Sequence, residues 1–279
     1  MMGDRGARLV ATVVDHHDLL STLATAGPLS GRELDATLAY SRSTLNRRLA
    51  ALRTEGLVAT RDGHHELTEF GATVLTESDA VFDRLEVLDT LASTALLEQL
   101  EAVSRSLDGA DDALEFDLGW LGAATVLTST PEDPYRLHDR YLELWDGTSR
   151  VQGARSVSAV PPDVVEHLEP TLRGGTVVES IWTPDALTAF FERYPGMTSA
   201  WLEAPNASIR LTHEPIPVQF ATFDDRLAFV AHDEETGHPH TLVDTANPEA
   251  LEWGHTLHAW YRDRSQSLRD WLRVESTTP

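Results

Sequence analysis

The sequence has neither lysine nor cysteine; all 22 basic side chains among its 279 residues are arginine. Without cysteine there is no disulfide framework, thiol nucleophile, zinc ribbon or iron-sulfur ligand set. Without lysine there is no Walker A phosphate loop, kinase strand lysine, Schiff-base chemistry or His-x-Lys pair of phospholipase D-type phosphodiesterases, each of which needs the ammonium itself. Long apolar runs are also missing, so no stretch is expected to span a bilayer. Residues 1 to 20 mix acids and paired histidines with their apolar positions and lack the continuous apolar core of an export signal, so a soluble, cytoplasmic chain is the expectation. What remains is globular in composition, 41% hydrophobic and 24% charged, and long enough for one large domain or two ordinary ones.

Charge is the strongest compositional signal. Against the arginines stand 45 acidic residues, a formal charge of -23 and a pI near 4.7. An acidic, lysine-free surface is similar to that of cytoplasmic proteins from salt-accumulating haloarchaea, where dense carboxylates hold water and salt screens their repulsion. The acids are unevenly placed: residues 1–75 carry 8 arginines and 9 acids, whereas residues 76–279 carry 14 arginines and 36 acids. A near-neutral segment in so acidic a chain suits one that must approach a polyanion.

That first segment has a readable local pattern. Leu9, Val10, Val13, Val14, Leu20 and Leu23 give helical spacing over residues 7–25, stopped by Gly27-Pro28. Ser30 and Glu33 form a capping box for a second, short helix ending near Leu38, with Leu29 and Leu34 as its hydrophobic staple. Ser41 caps a third helix whose Leu45, Leu49 and Leu52 form the buried stripe, leaving Ser43, Asn46, Arg47 and Ala50 facing outward. Gly56 sits at the left-handed C-cap position, with Leu57 closing a Schellman motif onto Leu52. Two alternating segments, 57–61 and 64–68, are joined by Asp62-Gly63, a type I′ hairpin dipeptide.

Helix, helix, turn, helix, hairpin is a winged helix-turn-helix, and it predicts double-stranded DNA as partner. Arg42, Ser43, Thr44, Asn46, Arg47 and Arg48 on the third helix are the side chains suited to base edges and phosphates. Arg61 and His64 flank the wing tip, within reach of phosphates or the minor groove. The alternative reading is a ligand-binding or protein-interaction adaptor whose winged helix does not read DNA.

The stretch Ser41-Arg42-Ser43-Thr44-Leu45-Asn46-Arg47-Arg48-Leu49, then Glu55-Gly56-Leu57-Val58 and Leu67-Thr68-Glu69-Phe70-Gly71, resembles archaeal winged-helix transcriptional regulators. The rest narrows the resemblance. Gly122-Ala123-Ala124-Thr125-Val126-Leu127, Pro131-Glu132-Asp133-Pro134-Tyr135, Leu242-Val243-Asp244-Thr245 and Ala250-Leu251-Glu252-Trp253-Gly254 are similar to the archaeal methanogenesis regulatory protein family. The resemblance implies a DNA-binding domain joined to an α/β sensor-like domain of unassigned effector, distantly similar to the phospholipase D-like domain of archaeal TrmB regulators. It does not carry a pathway with it, since a halophile need not make methane.

Between the two parts, Val81, Leu85, Leu88, Ala92, Leu96, Leu100, Val103 and Leu107 repeat every three or four residues, predicting one long helix or two abutting ones. This stripe fits a homodimer seam, which would set two winged helices on two half-sites, and equally a face packed on the chain's own C-terminal part.

Beyond Asp108 strands and helices alternate. Strands are predicted at 123–129, 151–160, 177–182 and 208–212, with helices at 136–145, 162–172 and 184–194 between them. A meander follows at 218–223, 226–231 and 241–243, turned by Asp224-Asp225 and by a polar loop from Asp233 to Pro239. A final helix is capped by Asn247 with Pro248 at its first position, and Trp253, Leu257, Trp260, Tyr261, Leu268 and Trp271 make its aromatic stripe.

No catalytic constellation emerges from this half: there is no Gly-rich phosphate loop, G-x-S-x-G elbow or H-E-x-x-H helix, so an enzyme is not expected. His238-x-His240 and His255-x-x-His258 have ligand-like spacing, but surface or core histidine is the default, and no metal or cofactor is expected. Paired acids such as Glu234-Glu235 fall in predicted turns. If the domain senses a small molecule, Trp182, His213, Phe220, Trp253 and Tyr261 are the candidate pocket groups.

The expected architecture is therefore α/β (α+β). Residues 1–75 form a winged helix-turn-helix DNA-binding domain, 76–107 a helical linker or dimerisation segment, and 108–279 an α/β sensor-like regulatory domain. The function expected of it is sequence-specific transcriptional regulation in a halophilic archaeon, with a small-molecule effector left open.

Overall fold

The computed structural model describes residues 4–106, 114–130, 132–158, 160, 162–232 and 238–275. Leu107, Pro131 and the Asp233–Gly237 part of the polar loop, with Glu234-Glu235, lie outside the described residues. The chain divides into two compact units, with the boundary between Arg84 and Leu85.

The first unit opens with helices α1 (Asp4–Asp15) and α2 (His17–Ala26), where the apolar spacing alone predicts a single helix. The break falls in the polar run Asp15-His16-His17-Asp18, which has no apolar side chain to carry the buried stripe across. Strand β1 (Leu29–Ser30) leads into α3 (Gly31–Leu38) through the capping box: Ser30 Oγ accepts from the Glu33 N–H and Glu33 accepts from the Ser30 N–H. Ala39, with φ of 50°, ends α3 in the left-handed region, and Ser41 caps α4 (Arg42–Thr54). Gly56 closes α4: the Leu57 N–H reaches Leu52 O and the Gly56 N–H reaches Arg53 O, the paired bonds of a Schellman motif.

Strands β2 (Val58–Arg61) and β3 (His64–Leu67) form the hairpin, with positive φ at both Asp62 (50°) and Gly63 (79°), as a type I′ turn requires. β1 pairs with the far side of β3, giving a three-stranded sheet ordered β1-β3-β2. Leu19, Leu20, Leu34, Leu45, Leu49, Leu52 and Leu57 are all buried in one core. This is a winged helix-turn-helix.

Helix α5 (Glu69–Ala92) follows, and Thr68 links it to α4: its hydroxyl donates to Gly56 O and accepts from the Gly71 N–H. Gly71 is there for space, since a Cβ would stand 2.0 Å from Leu57 O. Of the two options for the linker the chain takes two abutting helices, α5 and α6 (Leu96–Ser106), broken at Ser93-Thr94-Ala95. The apolar stripe is not continuous along them. Leu96, Leu100 and Val103 are buried in the second unit's core, whereas Val81 and Leu85 are about half exposed and Ala92 is exposed.

After a 3₁₀ turn at Leu118–Leu121, the second unit is built as β4 (Thr125–Thr128), α7 (Arg136–Trp145), β5 (Arg150–Arg155), α8 (Pro162–Gly174), β6 (Val177–Trp182), α9 (Pro184–Arg193), α10 (Pro195–Glu203) and β7 (Ala207–Leu211). The meander β8 (Gln219–Phe223), β9 (Arg226–His232) and β10 (Pro239–Thr245) comes next, then α11 (Pro248–Asp263), β11 (Gln266–Ser267) and α12 (Leu268–Glu275). One mixed sheet, ordered β11-β7-β6-β5-β8-β9-β10-β4, results. β5, β6 and β7 run parallel and the remaining pairs are antiparallel.

Alternation along the strands splits the apolar residues between two faces. Ala154, Ile181, Phe220, Leu227 and Phe229 pack with α6 and α11 residues Leu100, Trp253, Leu257 and Tyr261. Val151, Val178, Trp182, Ala221 and Phe223 pack with Trp145, Leu168, Phe190 and Trp201 from α7 to α10. Helices thus cover both faces of the sheet, an α/β layer arrangement.

The single final helix predicted from Asn247 to Trp271 needs correction. Asn247 does cap α11, accepting from the Ala250 N–H, but α11 stops at Asp263 and Leu268 and Trp271 belong to the separate α12, on the other core. The polar run Arg262 to Ser267 ends the apolar periodicity, β11 pairs with β7, and Ser267 Oγ accepts from the Asp270 N–H to start a new helix.

Candidate nucleic-acid interface

Burial along α4 follows the helical period. Leu45, Leu49 and Leu52 are at most 2% exposed, while Arg42, Ser43, Asn46, Arg47 and Ala50 are exposed. The six candidates on this helix fall into two groups. Arg42 and Arg47 make no ion pair or side-chain hydrogen bond among the described residues, and with Ser43 and Asn46 they form one outward face. Ser43 Oγ lies 3.0 Å from Ser41 Oγ, at the helix start.

Thr44 and Arg48 face partly inward. Thr44 Oγ1 is 2.9 Å from Ser41 Oγ and takes part in the cap. Arg48 donates to Tyr40 Oη at 2.7 Å and to Asp18 Oδ1 at 3.2 Å, which ties α4 to the turn before it and to α2. Arg48 holds the helix in place rather than standing free on its surface.

At the wing, Arg61 is largely exposed but its Nε pairs with Glu66 Oε1 at 3.0 Å, and the exposed His64 lies with Nδ1 3.1 Å from Asp62 O. One neighbour escapes sequence reasoning. Arg53, exposed in the last turn of α4, is close enough to His65 to disfavour its protonation, and burial acts in the same direction, first and more strongly; His64 adds to it. Arg53 and His64 thus both lie near His65 on the wing, and together with burial they keep its imidazole from taking up a proton. The sequence signal of Arg53 was the basic residue in the last helical turn, which the helix dipole alone would also explain.

On the facing side, the capping carboxylate of Glu33 is held below the usual range, chiefly by its hydrogen bonds with Ser30 and slightly by His64, so it stays ionised near the wing. The outward face of α4 itself carries no acidic residue from Arg42 to Thr54.

The five residues named for a ligand pocket do not share one cavity. Trp182 and Phe220 line a void of about 40 Å³. Trp253 and Tyr261 sit in the core, donating to Leu114 O and Pro215 O, and His213 is exposed on the loop after β7. Of the two histidine pairs, His258 is buried and His255 half-buried, and among the described residues no group of three histidines or carboxylates is placed to hold a metal. Nor is any described helix long and apolar enough to cross a membrane.

Residues 134–264 match the model of the middle domain of the methanogenesis regulatory protein FilR1, and residues 4–96 match the HVO_A0261 N-terminal domain. No curated protein matches the chain. Among solved structures, TrmBL2, described as an archaeal chromatin protein with a novel mode of DNA binding, is 13% identical with a TM-score of 0.41, over 94% of this chain and 99% of that one. NucT from Helicobacter pylori is 14% identical with a TM-score of 0.41, over 52% of this chain and 98% of its own. Phosphatidylserine synthase from Haemophilus influenzae is 11% identical with a TM-score of 0.40, over 52% and 39%. Likenesses at this level say nothing of what this chain binds or acts on. The two family matches fall on separate parts of the chain, the HVO_A0261 N-terminal domain on residues 4–96 and the FilR1 middle domain on residues 134–264, the latter in line with the resemblance seen in the sequence.

Proposed function

We propose that the chain is a sequence-specific DNA-binding transcriptional regulator. Residues 1–75 act as its DNA-binding domain, 76–107 as linker and dimerisation segment, and 108–279 as its sensor-like regulatory domain. One observation carries the reading: α4 buries its leucines and turns outward a face of Arg42, Ser43, Asn46 and Arg47 whose two arginines have no partner among the described residues. In an acidic protein, two arginines left without a carboxylate on an exposed helix are groups kept for another molecule, and a helix of this kind fits the major groove. Arg61 and His64 on the wing contact phosphate or the minor groove, while Thr44 and Arg48 hold the helix at its angle.

Composition adds the setting. The acidic, lysine-free sequence fits a halophilic archaeal cytoplasm, where the Debye length is about 3 Å at molar salt and counterion release contributes little. Direct contacts to bases must then supply more of the affinity than in dilute buffer. A homodimer presents two such helices to two half-sites, and Phe70, Val81 and Leu85 of α5 are among the exposed apolar side chains available to a second copy. Light scattering in high salt tests that part by itself; a monomeric mass removes the dimer and leaves the DNA reading standing.

The DNA reading is tested by chromatin immunoprecipitation from a salt-accumulating host expressing the tagged chain. Discrete promoter-proximal peaks are expected. A flat profile identical to an untagged control favours instead an adaptor that does not read DNA.

A further inference from the structure

The second unit holds a cavity of about 650 Å³, well within the range of small-molecule sites. It opens beside the ends of β5, β9 and β10 and is walled by α7 and the start of α8. Its apolar walls come from Leu137, Val164, Val230 and Leu242, with Tyr135 and Tyr141 presenting aromatic rings. None of its described lining residues is Asp or Glu, although the chain has 45 of them, twice its number of arginines. The described lining thus brings a guanidinium and no carboxylate to the cavity, which suits a negative guest.

Arg155 supplies the charge. Its guanidinium lies 4.8 Å from the centre of the Trp182 ring and Nη2 donates to Tyr141 Oη at 3.3 Å. Among the described residues it has no carboxylate partner, so its stacking on Trp182 orients the fork without neutralising it. On the neighbouring strand β8, Gln219 lines the same cavity, and its buried Oε1 has no hydrogen-bond partner among the described residues. An unpartnered buried amide oxygen is costly unless something donates to it. His232 lines the same space, and burial, with Arg155 adding to it, pushes this imidazole down to about 4, leaving it neutral and able to donate or accept a hydrogen bond.

We propose that this cavity binds a small organic carboxylate with an apolar or aromatic body, its carboxylate on Arg155 and a hydroxyl or amino donor on Gln219. A cation or a fully neutral apolar ligand would leave Arg155 uncompensated, and an inorganic anion alone would leave the apolar walls and Gln219 unused. The site stands on the second unit alone and does not depend on the DNA-binding reading.

Calorimetric titration of the full chain, in the salt that keeps it folded, tests this with para-hydroxyphenylacetate, its neutral amide and unsubstituted phenylacetate. The carboxylate is expected to bind at least about tenfold more tightly than the amide. Arg155→Gln should erase that preference while leaving the amide's affinity in place, which also reports that the cavity is intact. Gln219→Leu should weaken the hydroxylated ligand and not phenylacetate. Equal affinity for carboxylate and amide in the unmodified chain, no heat from any of the three at millimolar concentration, or a preference that survives Arg155→Gln would each overturn the proposal.

Discussion

The guanidinium of Arg48 lies 4.3 Å from the centre of the Tyr40 ring and its Nη1 donates to the same residue's hydroxyl, so an arginine in the middle of α4 is bound to the protein's own body. Its neighbour Arg47 points outward and makes no ion pair among the described residues. The two adjacent arginines are therefore expected to fail in different ways. Arg47→Ala should leave the melting temperature within a degree or so while costing about 1 to 3 kcal/mol of specific DNA binding, the worth of a bidentate contact to a base. Arg48→Ala should lower the melting temperature of the winged helix, since it removes a cation–π contact and a partly exposed ion pair worth together about 1 to 2 kcal/mol. Parallel melting and binding curves of the two variants check this, and identical behaviour of the pair would refute it.

Gly71 offers a cleaner test of how the wing is joined to α5. A methyl group there would meet the Leu57 carbonyl oxygen at 2.0 Å, and that carbonyl also accepts from the Thr68 N–H, so it cannot swing away without losing a hydrogen bond. Gly71→Ala should destabilise the first unit by about 1 to 3 kcal/mol, the usual cost of overpacking. Gly196→Ala, where nothing stands within 4 Å of the added carbon, is the control and should change stability little. Urea unfolding of both variants measures the difference.

Asp244 is fully buried on β10 and receives both Arg140, through Nε and Nη2 at 3.0 Å, and Arg226, through Nε at 2.6 Å. The carboxylate joins α7 to β9 and β10, and it holds the Arg140 guanidinium firmly protonated. Asp244→Asn leaves two partly buried arginines facing an uncharged group and should cost about 3 to 5 kcal/mol. Replacing all three residues with apolar ones of similar volume should recover much of that loss, because the desolvation cost disappears with the charges. A triple variant no more stable than Asp244→Asn would contradict this account of the cluster.

Much of this architecture can be read from the sequence, because its determinants are local. Ser30 with Glu33, Ser41, Asp62-Gly63 and Asn247-Pro248 each act within a few residues, and each sits in the structure where its chemistry requires. The spacing of Leu45, Leu49 and Leu52 likewise determines which side of α4 faces out, hence which arginines are available. What could not be read depends on distant partners. Nothing near Arg48 in the chain announces Asp18, and nothing near Asp244 announces Arg140. The break at His16 and the end of α11 at Asp263 were hidden because apolar residues resume in nearly the same phase beyond a short polar run. The large cavity was missed for a related reason: the aromatic residues that looked available, Trp253 and Tyr261, satisfy their own polar atoms inside the core, whereas Arg155 and Gln219 carry no sequence mark at all.

Stability should also depend on acidity in a defined window. Burial is the main cause that pushes His232 and His258 down to about 4, so both are neutral in the folded chain across the neutral range. Unfolding returns each toward about 6.5, so below that pH the unfolded chain binds more protons and stability falls, levelling off only below about 4. Each histidine contributes at most about 1.4 kcal/mol per pH unit inside the window. Asp224 does not oppose this there. Burial would raise it, but hydrogen bonds from Ser149 and Arg150 outweigh that and hold it below its ordinary value, so its effect appears only at lower pH. Chemical unfolding at fixed salt between pH 7.5 and 4.5 should show the loss, with a shallower slope in His258→Gln; a flat profile in the unmodified chain would rule the assignment out.

Selection of binding sites from a random duplex pool at molar potassium chloride addresses the outward face of α4 most directly. The full chain should enrich a defined motif, and the Arg42→Ala, Arg47→Ala double variant, folded by circular dichroism, should enrich none. A pool that stays random with the unmodified chain, or the same motif recovered by the double variant, would contradict the account.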